Sequence, residues 1–206
     1  MRQLVDLSVA LNSQTPVYPG DPAIRVEPAG VFERNGYTDH LVSFGNHTGT
    51  HIDAPLHMVA GGKTLDEYSP ERFVGHGRVV DVRNGFNLAA LQHAGIQPGD
   101  LVLFYTGMSS RYHQSIYFEI YPVMSSELAQ WLVKQKVKMV GVDACSVDNQ
   151  KDLTIHKALL GGEVLIIENL TNLEQLLGKD FIVYALPIKL NIDGAPARVV
   201  AQIEEH

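Results

Sequence analysis

The run His47-Thr48-Gly49-Thr50-His51-Ile52-Asp53-Ala54-Pro55-Leu56-His57 constrains this chain more than any other stretch, because it places three histidines and one aspartate within eleven residues. Neutral imidazole is the commonest protein ligand for metal ions, and aspartate is a hard oxygen partner for the same ions. The spacing dictates a shape. One helical turn apart, His47 and His51 would have Cβ atoms about 6 Å from each other. Fully extended, they would be separated by roughly 13 Å. Two ring nitrogens each about 2 Å from one ion require the shorter separation. The backbone therefore has to curl at Thr48-Gly49-Thr50, where Gly49 permits it without strain. Asp53 lies two residues past His51, an extended step that puts both side chains on one face. Pro55 biases Ala54 away from helix and stiffens the approach to His57. A lone histidine is ordinarily structural. Three with an aspartate at this density read as a divalent cation site, against the alternatives of no metal and of a closed structural site.

The 206 residues suffice for one domain, 1–206, with a full core, and are short for two. Hydrophobic residues at 45% and charged ones at 19% describe a globular chain, not a disordered one. A formal net charge of −7 argues against nucleic acid as a partner and leaves a small molecule as the expected one. No apolar run is long enough to span a membrane. Asp6 falls where a signal peptide needs its apolar core, so the expected compartment is the cytoplasm. The single cysteine, Cys145, allows no internal disulfide. Asp143 and Asp148 nearby would oppose a thiolate, so a buried small hydrophobe is expected there.

Residues 2–9 read as a first strand. Next comes the stiff loop Pro16-Val17-Tyr18-Pro19-Gly20-Asp21-Pro22, in which Tyr18 is either an aromatic wall for a substrate or a loop anchor. Strands are predicted at 24–32 and 37–45 around a turn at Gly36, and at 77–83, 101–105, 137–142, 164–167, 181–190 and 197–203. The last two are joined at Asp193-Gly194, a hairpin signal. Helices are predicted from Asn87 to Ala94, from Ser125 or Ser126 to Gln135, from Thr154 to Leu160, and from the capping box Thr171…Glu174 to Leu177. Leu128, Trp131 and Leu132 give the second of these one apolar face, with Trp131 in the core. His76, between Gly75 and Gly77, reads as an exposed loop residue. The aromatic stretch 108–123 reads as a long loop covering something, as lids do. Strands first, then alternating strands and helices, then strands again, predict an α/β domain with a mixed sheet whose middle is 101–105, 138–142 and 164–167. His156 and Glu168 each sit at the edge of a short element. By spacing alone a surface position is the simpler reading for both, although a buried carboxylate after Val164-Leu165-Ile166-Ile167 would need a partner or a cation.

The run from His47 to His57 resembles the signature of the cyclase-type metal-dependent hydrolases, a family that includes bacterial kynurenine formamidase and isatin hydrolase. The likeness extends over nearly the whole chain, through Pro16-Val17-Tyr18-Pro19-Gly20-Asp21, Thr106-Gly107, Gly141-Val142-Asp143, Ser146-Val147-Asp148 and the pair His156…Glu168. It implies a mixed α/β domain around a barrel-like sheet with flanking helices (the swivelling β/β/α type), associating as homodimers or larger homo-oligomers. It implies that His47, His51 and Asp53 hold one divalent ion, and that Asp53 bridges to a second held by His156 and Glu168. His57 would be the acid/base and Tyr18 would touch the substrate. Zinc is the expected ion, with manganese and nickel compatible with the same ligands. The kynurenine formamidases carry Trp where this chain has Tyr18, a departure that bears on the aryl substrate and leaves the metal chemistry intact.

The implied reaction is hydrolysis of an amide, foremost an aryl formamide such as N-formylkynurenine. A bound cation lowers the pKa of water from about 16 to about 7 and stabilises a developing oxyanion, and His57 protonates the leaving nitrogen. Three alternatives stand beside it: a cyclic amide such as isatin as substrate, a non-catalytic metal-dependent binding module, and a thiol enzyme using Cys145.

Overall fold

The computed structural model describes residues 3–149 and 151–204, so residue 2 of the first expected strand lies outside the described residues. The chain begins with β1 (Gln3–Asp6), then β2 (Arg25–Gly30), the single turn α1 (Phe32–Asn35) and β3 (Asp39–Ser43). After β4 (His51–Asp53) and β5 (Val74–Asp81) come α2 (Leu88–His93), β6 (Leu101–Tyr105), α3 (Ser126–Lys134) and β7 (Met139–Val142). It ends with α4 (Thr154–Gly161), β8 (Leu165–Glu168), β9 (Phe181–Pro187) and β10 (Gly194–Ile203).

Seven of these strands close on themselves in the order β10-β4-β8-β7-β6-β5-β9, with β9 pairing back onto β10. The pairs β5–β6, β6–β7 and β7–β8 are parallel and the other pairs of the ring antiparallel, so the sheet is mixed and barrel-like, as expected. Closure leaves no free edge within the ring, and β1 adds to β10 from outside, with Val5 opposite Ala201. The central strands are buried on both faces, as parallel strands covered by helices must be. Alternation sorts their side chains. Val102, Phe104, Val140 and Ile166 pack outward against Leu128, Leu132 and Leu159 of the helices. Leu101, Leu103, Met139 and Ile167 point inward, toward Val183, Val199 and Ala201. Asn87 and Ser125 cap α2 and α3, accepting from Ala89 N and Leu128 N. Trp131 is half-buried against the outer core.

Several expectations are corrected. Residues 171–177 form no α-helix: Leu173–Leu176 is a single 3-10 turn, and Asn172 before it is left-handed, at φ 60°. The tertiary tie Thr171 N to Leu7 O, at 3.0 Å, overrides the local capping pattern. His76 is exposed but lies within β5, opposite Ile182, rather than in a loop. The stretch 108–123 is no free lid. Its rings Tyr112, Tyr117 and Tyr121 are buried, and the Tyr117 and Tyr121 hydroxyls donate to Asn169 Oδ1 and Asp148 O at 2.8 and 3.1 Å. It is a fixed wall.

β2 and β3 form a separate antiparallel arm that leaves Val26, Phe32, Tyr37, Leu41 and Val42 exposed. Among the described residues no helix is long and apolar enough to cross a membrane.

Candidate metal centre

The centre is built where β4 crosses between β8 and β10. Gly49, at φ +62°, makes the curl that the histidine spacing demands. The turn is tied down by Thr50, whose hydroxyl donates to Asn169 O at 2.6 Å and accepts from Val9 N at 2.9 Å. β4 then carries His51 and Asp53 on one face, with His51 in register with Glu168, the last residue of β8. Ala54 stays extended, at φ −102° and ψ 163°, and the 3-10 turn Pro55–His57 folds His57 back toward His47. Their ring centres are 4.1 Å apart. From the far side, α4 delivers His156 in its first turn.

All five expected ligands converge. His51, Asp53, His156 and Glu168 are buried, and His47 is half-buried. Asp53 Oδ1 lies 2.7 Å from His47 Nδ1 and 3.3 Å from His51 Nε2, while Oδ2 lies 3.8 Å from His156 Nε2. Glu168 Oε1 is 3.2 Å from His156 Nε2, and Oε2 is 3.5 Å from His51 Nε2. Asp53 therefore faces both halves of the centre. The surface reading of His156 and Glu168 gives way to burial, because the β4–β8 register sets Glu168 opposite His51 and α4, with its His156 ring held on Asp148, packs His156 against Glu168.

The protonation pattern tests whether a cation fits. Each imidazole turns one nitrogen outward onto an acceptor. His51 Nδ1 meets Gly49 O at 2.8 Å, His47 Nε2 meets Asp193 Oδ2 at 3.0 Å, and His156 Nδ1 meets Asp148 Oδ2 at 3.2 Å. The inward nitrogens face two carboxylates, and among the described residues the buried His51 Nε2 has no well-aligned hydrogen-bond partner, with Asp53 Oδ1 at 3.3 Å and Glu168 Oε2 at 3.5 Å. An outward N–H anchored on a carbonyl or carboxylate is how proteins orient metal-ligating histidines. Burial opposes charge on these rings, yet the carboxylates outweigh it. With Asp53 and Asp193 beside it, His47 is pushed up to about 9, and with Asp148, Glu168 and Asp53, His156 reaches about 10. Burial likewise works against ionising Asp53, but the imidazoles hold it well below the usual carboxylate range. The centre thus demands positive charge, and its nitrogen and oxygen donors suit a divalent ion such as zinc or manganese. Ligand atoms of His47, His51 and Asp53, and of Asp53, His57 and His156, lie within 4.8 Å of one another in each set.

The centre opens into a cleft of about 440 Å³. Tyr18 is 49% exposed on its rim and stands edge-on to Phe118 at 6.0 Å, and both rings line the cleft. Cys145 also borders it but is 5% exposed, and burial, then the Glu168 charge, pushes its thiol up to about 12. That is no nucleophile at neutral pH.

Two outer carboxylates went unrecognised as such in the sequence. Asp193 reads there only as a hairpin residue, and Asp148 only as a neighbour of Cys145 and as part of a segment carrying the family resemblance, with no role of its own. Neither has a periodic relation to the histidines it holds. Asn169, which donates to Gly49 O at 3.0 Å while accepting from Tyr117, links the aromatic wall to the His51 anchor and likewise gives no local signal.

The Cyclase family profile matches residues 5–149. Kynurenine formamidase from Bacillus cytotoxicus is 32% identical over 202 residues, 95% of each chain. A solved structure described as a potential metal-dependent hydrolase with cyclase activity covers 100% of both chains at 30% identity, with a TM-score of 0.84. Isatin hydrolase A from Ralstonia solanacearum superposes with a TM-score of 0.89 at 25% identity, covering 98% of this chain and 92% of its own.

Proposed function

We propose, since this chain belongs to the Cyclase family, that it is a hydrolase whose substrate is an aryl formamide such as N-formylkynurenine, and whose cofactor is a divalent metal, zinc foremost. The observation that carries this reading is the set of three imidazoles, each with its outward nitrogen on an acceptor and its inward nitrogen turned onto Asp53 or Glu168. The similarity to kynurenine formamidases along the chain supports the substrate class.

His47, His51 and Asp53 would hold one ion, and Asp53 with His156 and Glu168 a second. When bound, the cation supplies Lewis-acid polarisation of a carbonyl and acidifies water. The chain's own residues do the rest. Gly49 O, Asp193 and Asp148 fix the tautomers of the three imidazoles, so that lone pairs face the ion. Tyr18 and Phe118 offer an aromatic edge for an aryl group at the rim of the cleft. His57, half-buried at the cleft, takes a proton from the attacking water and passes it to the leaving nitrogen, which departs poorly as an anion.

Isatin, a cyclic amide, is the second reading, favoured by the close superposition on isatin hydrolase. Side-by-side turnover of N-formylkynurenine and isatin by zinc-reconstituted protein separates the two. Formamide cleavage that vanishes on chelation and returns with zinc is the expected result. Turnover untouched by chelation overturns the reading. The exposed apolar arm of β2 and β3 supports homo-oligomeric assembly as part of the same proposal.

A further inference from the structure

Asp193 reaches two imidazoles to which the proposed function gives different tasks. Its Oδ2 accepts from His47 Nε2 at 3.0 Å and from His57 Nδ1 at 3.1 Å. Its Oδ1 accepts from Asn46 Nδ2 at 2.9 Å, and its backbone carbonyl accepts from Ala54 N at 2.8 Å. The residue is thus fastened both just before the histidine run and within it. The next residue has to be small: a Cβ on Gly194 would lie 2.5 Å from His47 Cε1. One oxygen therefore holds the two rings together, 4.1 Å apart and tilted by 37°.

An ionised carboxylate only accepts hydrogen bonds, so both imidazoles must donate to it. For His57 this selects the tautomer with its proton on Nδ1 and leaves Nε2 for the substrate. Ring and tautomer are set by one bond, as when a third group orients a base in hydrolytic sites.

We infer that Asp193 is the positioning residue for His57, fixing its tautomer and tying its orientation to the ligand His47. The inference rests on the acid/base role of His57 given above.

The test uses zinc-reconstituted wild type, Asp193→Asn, His57→Ala and the double variant, with N-formylkynurenine as substrate. Assayed with zinc in excess, Asp193→Asn is expected to be loaded by elemental analysis, although its zinc affinity falls through His47, and to keep its KM within about twofold, while kcat falls by about 10²-fold. The double variant should be no slower than His57→Ala alone, because Asp193 acts through His57. Independently of activity, ¹⁵N–¹H correlation of the imidazoles should show His57 protonated on Nδ1 in wild type and moving toward Nε2 in Asp193→Asn. Wild-type His57 protonated on Nε2 overturns the inference, and this measurement needs no variant to fold. At saturating zinc, effects that multiply in the double variant also overturn it, since the carboxylate would then act on turnover through His47 or the fold. Near-normal kcat in His57→Ala sinks the acid/base reading itself, a distinct outcome.

Discussion

Asp53→Asn tests the centre most directly. The carboxylate is 1% exposed, and its two oxygens lie 2.7 to 3.8 Å from nitrogens of His47, His51 and His156. The substitution keeps the shape and removes one of the two negative charges facing the ion. At an effective dielectric near 20, a unit charge about 4 Å from another is worth about 4 kcal/mol, and a divalent partner doubles that to about 8. The buried carboxylate has a desolvation cost of several kcal/mol, which the neutral amide no longer carries. Taking that relief as about half of the gross attraction leaves a net loss of about 4 kcal/mol, or roughly 10³-fold in Kd. Competition with a chromophoric chelator measures zinc affinity over this range, and circular dichroism checks that the variant is folded. A folded Asp53→Asn protein that binds zinc within about tenfold of wild type would refute the placement of the ion between these side chains.

Other expectations follow from the same geometry. Asp143 is buried and accepts from Thr106 N, Thr106 Oγ1, Gly107 N and Ser109 Oγ, so Asp143→Ala should cost about 4 kcal/mol and lower Tm by about 8–16 °C in calorimetry. Chelation should lower Tm by a similar amount if free zinc stood near a thousandfold over Kd, because the ion binds only the folded chain. Tyr18→Ala should raise KM for an aryl formamide and leave bound zinc unchanged, since the ring stands against Phe118 in the cleft lining and is none of the five ligands. Native Cys145 should resist alkylation at pH 8. Its folded thiol titrates near 12 against 9 for the free group, so its contribution to stability is full below pH 9 and is lost as pH rises toward 12, measurable by urea titration.

The curl at Gly49 and the shared face of His51 and Asp53 were legible because they follow from spacing within one short segment. The buried middle strands were legible because Leu101 to Tyr105 and Leu165 to Ile167 are unbroken β-forming runs. Ring closure came only through the barrel-like sheet that the family resemblance implies, and the pairings of β9 with β5 and of β10 with β4 that complete it leave no mark in local pattern, since they join distant segments. For the same reason Asp193 looked like turn chemistry and the stretch 108–123 looked like a lid. A tyrosine reads alike whether its hydroxyl meets water or, as at Tyr117, a buried asparagine. The family resemblance supplied His156 and Glu168, whose burial depends on a helix packing and a strand register that no single segment encodes.

The strand that carries His51 and Asp53 is three residues long and is held between β8 and β10, with Asp53 opposite Gly194. Such a fragment has no order of its own. On the reading proposed above, a chain whose β10 has not docked offers a cation no formed site. Ion capture then waits on that docking, and a nick ahead of Gly194 that freed β10 would release the ion along with the fold.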